Sequence, residues 1–137
     1  MITIQTRVNV PASHAWTCWT TPAHIMTWNF ADPSWHCPAA SNNLQPGGNF
    51  SFTMAARDGS ESFDFKGTYD LVEPGQRIEY TIEDGRKVII TFETDGDAVV
   101  ITESFDPENM NPPELQQQGW QQILDNFAHY ATSCANG

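Results

Sequence analysis

The sequence is short of positive charge. It has 6 Lys and Arg residues against 17 Asp and Glu, which gives a formal net charge of −11 at pH 7 and a pI near 4.4. A surface of this sign repels phosphate backbones and anionic lipid head groups. We therefore expect neither nucleic acid nor a membrane surface to be a partner of this protein.

Cysteine is also scarce and shows no pairing pattern. Cys18, Cys37 and Cys134 are odd in number, widely spaced and form no CxxC pair. The four histidines have no HxxxH spacing, and we expect His14 and His24, on short helices, to face solvent. These patterns predict no metal site, no cofactor and three free thiols in a reducing, cytoplasmic setting.

The sequence lacks the segments and motifs that mark several other classes of protein. Its first residues have no basic region followed by a long apolar run, which predicts no signal peptide. No stretch reaches the ~18 apolar residues of a membrane span. There is no Gly-rich phosphate loop, no GxSxG motif and no Ser/His/Asp arrangement, so the common nucleotide-binding and hydrolase classes are not indicated.

The sequence does have enough apolar material for a core. It contains 137 residues, 39% of them hydrophobic, with five Trp and eight Phe. A chain of this length usually forms one domain and buries roughly two-thirds of its unfolded surface. Because no linker or internal repeat divides it, we expect a single domain over residues 1–137, closed by Gly137.

The N-terminal part predicts one strand and two short helices. Ile2, Ile4 and Val8 follow a period-2 pattern that polar Thr6 interrupts, and this pattern indicates a first strand. Ser13 is expected to cap the first helix. Thr21 is expected to cap the second, with Pro22 at its first helical position. A further short strand is expected over 35–38.

Five later segments alternate apolar and polar residues, and turn-forming residues separate them. These segments are 50–54, 63–71, 78–82, 88–92 and 99–105. The turn between the third and fourth contains Asp84-Gly85, a two-residue hairpin signal. Such a run of strands, apolar on one face and polar on the other, is typical of an antiparallel sheet with one buried side.

The last segment changes its period from 2 to 3.6. From Glu114 onward a single apolar stripe runs along a predicted helix, formed by Trp120, Ile123, Leu124, Phe127 and Tyr130. The sheet needs a cover, and this helix supplies one. We predict an α+β helix-grip fold: a curved antiparallel sheet of about six or seven strands wrapped around a long C-terminal helix, with two short helices after the first strand and a cavity between sheet and helix.

Five stretches stand in a characteristic order: VPASHAW at 10–16, TPAH at 21–24 leading to Trp28, GGNF at 47–50, FKGTY at 65–69 and GW at 119–120. In their order and spacing they resemble the START and birch-pollen-allergen-like superfamily. Within it, the chain looks like the polyketide-cyclase-like group that includes the C-terminal domain of the heat-shock-protein ATPase activator. The similarity spans nearly the whole chain.

The resemblance implies a fold and a cavity, and it does not fix a reaction. Members of the superfamily include ligand carriers, cyclases and chaperone activators. The resemblance therefore implies a small apolar or aromatic ligand, with a chaperone as the alternative partner. The acidic surface favours a monomer or a weak dimer.

Glu103 is the candidate catalytic residue. Its alternation with Ile101 and Phe105 points its carboxylate toward the apolar face of the sheet. A carboxylate desolvated there has a raised pKa and could act as a general acid or base. The alternatives are a bulge that turns Glu103 outward, or a structural hydrogen bond.

His36 and Cys37 lie near the expected mouth of the cavity. Adjacent residues on a strand point to opposite faces, which argues against a Cys–His dyad. His36 remains a candidate ligand contact, whereas Cys37 is disfavoured as a nucleophile.

The aromatic side chains either line one chamber or fill the core. Buried tyrosines such as Tyr69 and Tyr80 need a hydrogen-bond partner, which a ligand can supply. Gly67 leaves room for a closely approaching helix or for a ligand. The candidate ligand-binding residues are Trp28, Trp35, His36, Phe52, Phe65, Gly67, Tyr69, Tyr80, Phe92, Glu103, Trp120 and Phe127.

Three functions follow from the sequence. The first is the binding of a small hydrophobic ligand in an internal cavity between the sheet and the last helix. The second is a cyclase, dehydratase or hydrolase type of reaction that uses Glu103 as acid or base. The third is a partner-binding role similar to that of the chaperone ATPase activator.

Overall fold

Strands and helices follow one another in the order that the sequence predicts. The computed structural model describes residues 1–134. The elements are β1 (Ile2–Val8), α1 (Ala12–Thr20), α2 (Pro22–Trp28), β2 (Trp35–Asn42), β3 (Asn49–Ala56), β4 (Ser62–Glu73), β5 (Arg77–Ile82), β6 (Lys87–Asp95), β7 (Ala98–Phe105) and α3 (Pro113–Cys134). Residues 135–137, Gly137 among them, lie outside the described range. The assignment of a single domain over residues 1–137 stays a prediction.

The seven strands form one antiparallel sheet in the order β1-β7-β6-β5-β4-β3-β2. The sheet curls into a half-barrel, and α3 lies against it with the two short helices nearby. The predicted α+β helix-grip fold is confirmed. The first strand pairs with the last, in a register that places Ile2 opposite Phe105.

The alternation of apolar residues decides which face of the sheet is buried. On β7, Val99, Ile101, Glu103 and Phe105 are buried, while the residues between them are partly exposed. β6 follows the same rule with Val88, Ile90 and Phe92. Successive side chains of a strand point to opposite faces, so this pattern gives the sheet one apolar and one polar side.

A hairpin joins β5 and β6 at Asp84-Gly85, but its loop is longer than the predicted two residues, because β5 ends at Ile82 and β6 begins at Lys87. Gly85 has φ +95°, in the left-handed region that a side chain disfavours. Asp84 accepts a hydrogen bond from the Arg86 amide at 3.1 Å. These two features stabilise the turn, which places Thr81 opposite Lys87.

The start of α1 differs from the prediction. Pro11 is the N-cap, with φ −62° and ψ 150°, and its carbonyl accepts from the His14 and Ala15 amides. Ser13 lies within the first turn, so the prediction that it caps the helix is wrong. Proline has its φ fixed near this value and no amide to satisfy, which lets the helix begin at Ala12.

The start of α2 agrees with the prediction. Thr21 is the N-cap and Pro22 occupies the first helical position, although the Thr21 side chain makes no capping hydrogen bond. β2 is longer than expected, reaching Asn42 instead of residue 38. Its pairing with β3 carries it through a register shift between His36 and Ala39.

Helix α3 uses its apolar stripe to cover the sheet. Leu124 and Phe127 are fully buried, and Trp120, Ile123 and Tyr130 are partly buried against the core. The Phe127 ring meets the rings of Trp19 and Trp28 at centroid distances of 4.8 and 5.0 Å. No helix among the described residues is long and apolar enough to span a membrane.

Candidate functional site

A pocket of about 360 Å³ opens between the sheet and α3. Strands β3, β4, β5 and β7 form its floor, α3 and the loop before it form one wall, and the ends of α1 and α2 close it. Its lining is mostly aromatic and aliphatic. The lining residues are Trp19, Trp28, Asn29, Phe50, Phe52, Met54, Phe63, Phe65, Tyr69, Ile78, Tyr80, Arg86, Glu103, Glu108, Asn111, Gln116, Gly119, Trp120 and Ile123.

Edge-to-face aromatic contacts hold the floor of the pocket together. The Phe50 ring meets Tyr80 at a centroid distance of 4.8 Å with the planes 75° apart. The centroid of the Phe65 ring lies 6.4 Å from that of Tyr80 and 6.2 Å from that of Trp120, so Phe65 links the floor to the helix wall. Such geometries are favoured by the ring quadrupoles and give a stiff apolar surface.

Glu103 lies in these apolar surroundings. It has no ionic or hydrogen-bonding partner within residues 1–134. It is 6% exposed, and its strand neighbours are Ile4 on β1 and Ile90 on β6. Desolvation by burial raises the pKa of its carboxyl to about 8. At neutral pH the carboxyl is therefore mostly protonated and can donate a hydrogen bond. The prediction that Glu103 points inward is confirmed.

Tyr80 is the second polar group of the floor. Burial, followed by the nearby charge of Glu103, raises the pKa of its phenol well above the usual value. Within residues 1–134 no group is hydrogen-bonded to its hydroxyl. Tyr69 differs, because its hydroxyl donates to Asn42 Oδ1 at 2.6 Å. Burial also raises the pKa of Tyr69.

Gln116 ties the loop before α3 to the helix. It is 7% exposed, its Oε1 accepts from the Glu108 amide at 2.8 Å, and its Nε2 donates to the Asn111 carbonyl at 2.7 Å. At another part of the rim, Arg86 is held by Asp84, with 2.8 Å between Nε and Oδ2. The rim is thus polar while the floor is apolar.

Seven of the twelve candidate ligand-binding residues line this pocket: Trp28, Phe52, Phe65, Tyr69, Tyr80, Glu103 and Trp120. Phe92 lies outside because α1 covers that part of the sheet, and its ring packs on Trp16 at 5.4 Å. Phe127 lies outside because it fills the space between Trp19 and Trp28.

Trp35, His36 and Gly67 also lie outside the pocket. Trp35 and His36 belong to the edge strand β2. The Trp35 ring faces the Phe63 ring, with their centroids 6.1 Å apart. An added Cβ at Gly67 would lie 2.6 Å from both Phe50 Cζ and the Thr81 carbonyl oxygen. The room left by Gly67 is therefore occupied by the Phe50 ring and not by a closely approaching helix.

Sequence reasoning did not name several residues of the lining. Phe50 and Phe52 alternate with polar residues on one strand, and this alternation indicates that Phe50 faces inward as Phe52 does. Glu108 and Asn111 had none, since loop side chains have no periodicity. Gln116 lies on α3 four residues before Trp120, but a polar side chain does not extend an apolar stripe. Gly119 lies on α3 at a position where an added Cβ would meet no atom within 4 Å.

The two N-terminal histidines do not face solvent as predicted. His24 Nδ1 is hydrogen-bonded to the Tyr130 hydroxyl. His14 Nε2 lies 3.0 Å from the Ala131 carbonyl oxygen and 3.6 Å from Cys18 Sγ. Both histidines are half-buried because the C-terminal half of α3 crosses over α1 and α2.

A curled antiparallel sheet that grips one long C-terminal helix defines the helix-grip class of the START and birch-pollen-allergen-like superfamily. The model of one family in it, the activator of Hsp90 ATPase homolog 1-like proteins, matches residues 9–132. The chain belongs to this family. No curated protein matches it.

Solved structures agree with this assignment. The AHSA1-like protein from Aeromonas hydrophila is 36% identical, with a TM-score of 0.90 over 99% of this chain and 96% of that one. A protein from Cytophaga hutchinsonii is 53% identical, with a TM-score of 0.84 over 98% and 94% of the two chains. A protein from Nitrosomonas europaea, at 16% identity and a TM-score of 0.84 over 99% and 96%, shares the fold.

Proposed function

We propose that this protein binds a small, mostly apolar ligand in the pocket between the sheet and α3. The observation that carries the proposal is the presence of two polar side chains, Glu103 and Tyr80, on an otherwise apolar floor. Neither has a hydrogen-bonding partner within residues 1–134. No fully buried side-chain oxygen or nitrogen within residues 1–134 lacks a partner, so the polar atoms of these two residues are accessible from the pocket that they line. A ligand atom in the pocket can therefore supply the hydrogen bond that the protein does not.

The pocket's size and lining support a ligand with an aromatic or aliphatic body. A volume of about 360 Å³ falls within the range of small-molecule sites, roughly 300–1,000 Å³. The protonated Glu103 carboxyl and the Tyr80 hydroxyl can both donate, which selects a carbonyl or hydroxyl oxygen at the buried end of the ligand. Family membership agrees with this reading, because proteins of this fold commonly bind hydrophobic ligands.

Gly119 provides a way to block the pocket without disturbing its walls. Gly119→Leu adds a side chain at a pocket-lining position where an added Cβ meets open space. Gly119→Ala is the matched control, since it makes the same backbone change with little added volume. With the neutral fluorescent probe N-phenyl-1-naphthylamine, we expect saturable binding that weakens at least tenfold in Gly119→Leu and persists in Gly119→Ala.

A natural ligand can be sought directly. Native mass spectrometry of the protein purified gently from its host, before and after organic extraction, is expected to show a bound molecule that extraction removes. Bare protein in both samples, together with unsaturable probe binding, would contradict the proposal. That result would favour a chaperone partner, the other general expectation for this family.

Acid–base catalysis on the bound molecule is the second candidate function. It is favoured by the position of Glu103, whose pKa of about 8 lies close to neutral pH, where proton transfer is most effective. Glu103→Gln keeps the shape and removes the titratable proton. If the ligand is turned over, that variant is expected to lose at least about a hundredfold in rate. An unchanged rate would exclude this role for Glu103.

A further inference from the structure

Three side chains of metal-ligating types, from two distant parts of the sequence, meet where the end of α3 contacts α1. His14 and Cys18 lie on α1, and Cys134 is the last residue of α3. Their ligand atoms all lie within 4.8 Å of one another. None of the three lines the pocket.

Helix geometry explains why these side chains converge. His14 and Cys18 are four residues apart, so they occupy the same face of α1 one turn from each other. The end of α3 crosses this face, and His14 Nε2 contacts the Ala131 carbonyl one turn before Cys134. The sequence signal is the His-xxx-Cys spacing within α1.

The spacing of the atoms matches tetrahedral coordination. Zinc bonds of roughly 2.05 Å to nitrogen and 2.3 Å to sulfur place those two atoms about 3.6 Å apart at a tetrahedral angle. The distance between His14 Nε2 and Cys18 Sγ is 3.6 Å. Cys134 is half-buried at the end of its helix, so its side chain can adjust to complete the triangle.

The kind of donor selects the kind of ion. Two thiolate sulfurs and one imidazole nitrogen suit zinc and similar thiophilic divalent ions, and they do not suit Mg²⁺ or Ca²⁺. Three protein ligands leave a fourth tetrahedral position for water or an external ligand. We propose that His14, Cys18 and Cys134 form a binding site for a thiophilic divalent metal ion, with Zn²⁺ the best match.

Binding requires defined changes of protonation. Each thiol gives its proton to water when it becomes a thiolate ligand. In the structure His14 Nε2–H donates to the Ala131 carbonyl oxygen. Metal binding requires the other tautomer, in which Nδ1 carries the proton and the Nε2 lone pair is free for the ion, so this hydrogen bond is given up. No redox change accompanies these steps.

Cobalt(II) is a suitable spectroscopic probe of this site. The full-length protein, fully reduced with a phosphine reductant, is titrated with Co²⁺ and then with Zn²⁺. We expect thiolate-to-cobalt charge-transfer bands and tetrahedral visible bands that saturate at one ion per chain. Zn²⁺ is expected to abolish them by displacement.

Matched variants separate this site from other thiols and imidazoles. Cys134→Ser and His14→Gln are expected to weaken Co²⁺ binding at least tenfold. Cys37→Ser and His129→Gln change the same residue types away from the cluster, and we expect them to leave binding unchanged. Far-UV circular dichroism and thermal unfolding of each variant check that the fold is intact.

Three results would overturn the proposal. One is the absence of charge-transfer bands in the reduced wild-type protein. Another is equal Co²⁺ affinity of the wild type and the folded Cys134→Ser and His14→Gln variants. The third is a Cys18–Cys134 disulfide in the oxidised protein, with no metal bound once it is reduced.

Discussion

The Trp120 ring of α3 stacks on the Phe105 ring of β7, with centroids 3.9 Å apart and planes within 9°. Phe105 is completely buried two residues after Glu103 on the same strand. This contact holds the middle of α3 against the sheet and keeps the helix wall of the pocket beside the carboxyl group.

Trp120→Ala is expected to lower the free energy of unfolding by about 3 kcal/mol. The change removes the stacked ring and leaves a cavity next to Phe105. Urea unfolding followed by circular dichroism measures this. Leu115→Ala, on the same helix but exposed, is the control and should stay within about 0.5 kcal/mol of the wild type.

Glu103 makes the stability of the fold depend on pH. Its pKa is about 8 in the folded protein against an ordinary value of 4.5. Between these values the folded state keeps a proton that the unfolded state loses. Its contribution to stability is therefore fully present below pH 4.5, declines as pH rises toward 8, and is lost above 8.

The expected slope from this one group is about 1.4 kcal/mol per pH unit at its steepest. Glu103→Gln has no proton to lose, so its stability relative to the wild type should rise across this range and level off above pH 8. Urea unfolding of both proteins at matched pH values measures the difference. A constant difference from pH 5 to 9 would show that Glu103 titrates normally.

Gly119→Ala is expected to stabilise the protein by about 1 kcal/mol. Glycine in a helix is less favourable than alanine by about this amount, and no atom lies within 4 Å of the added Cβ. A higher midpoint of urea unfolding at unchanged slope would be the expected result. A lower midpoint would mean that this position has less space than the structure gives it.

Glycine to alanine at position 67 should instead destabilise the protein. The added Cβ would lie 2.6 Å from Phe50 Cζ and from the Thr81 carbonyl oxygen, and the backbone oxygen cannot move away cheaply. We expect Gly67→Ala to lower the free energy of unfolding by about 2 kcal/mol. Neutral or improved stability, measured as for Gly119→Ala, would contradict the close packing of Phe50 over this glycine.

Gln116→Leu tests the polar rim. The change leaves the Glu108 amide and the Asn111 carbonyl without their partner, which should cost about 1–3 kcal/mol. Hydrogen exchange at residues 106–112 should speed up more than exchange in β7. Equal protection of this loop in both proteins would show that Gln116 does not hold it.

The fold could be predicted from the sequence because its signals are local. Alternation in β6 and β7 and the stripe on α3 each repeat over several residues, and glycines mark the turns. The cap at Ser13 was wrong because serine is a good N-cap in general, whereas Pro11 already starts this helix. The extent of β2 could not be predicted, since its second half depends on pairing with β3.

The site could be predicted only for residues whose position depends on which face of a strand they occupy. Glu103 and Tyr80 point inward because their neighbours two residues away do. Phe92 has the same inward direction, yet α1 lies over it. The convergence of Cys18 and Cys134 depends on where one helix crosses another, and no sequence period reports that crossing.

The pairing of β1 with β7 sets the order in which the protein can be assembled. Ile2 stands opposite Phe105, so the ladder joins segments about a hundred residues apart. Contacts at such separation slow folding, because the loop between them must close before they stabilise anything. On a ribosome, β1 is synthesised first and has no neighbour until β7 has emerged from the exit tunnel. The sheet that carries the pocket is therefore completed only after β7 has been made, and until then β1 lacks its partner strand.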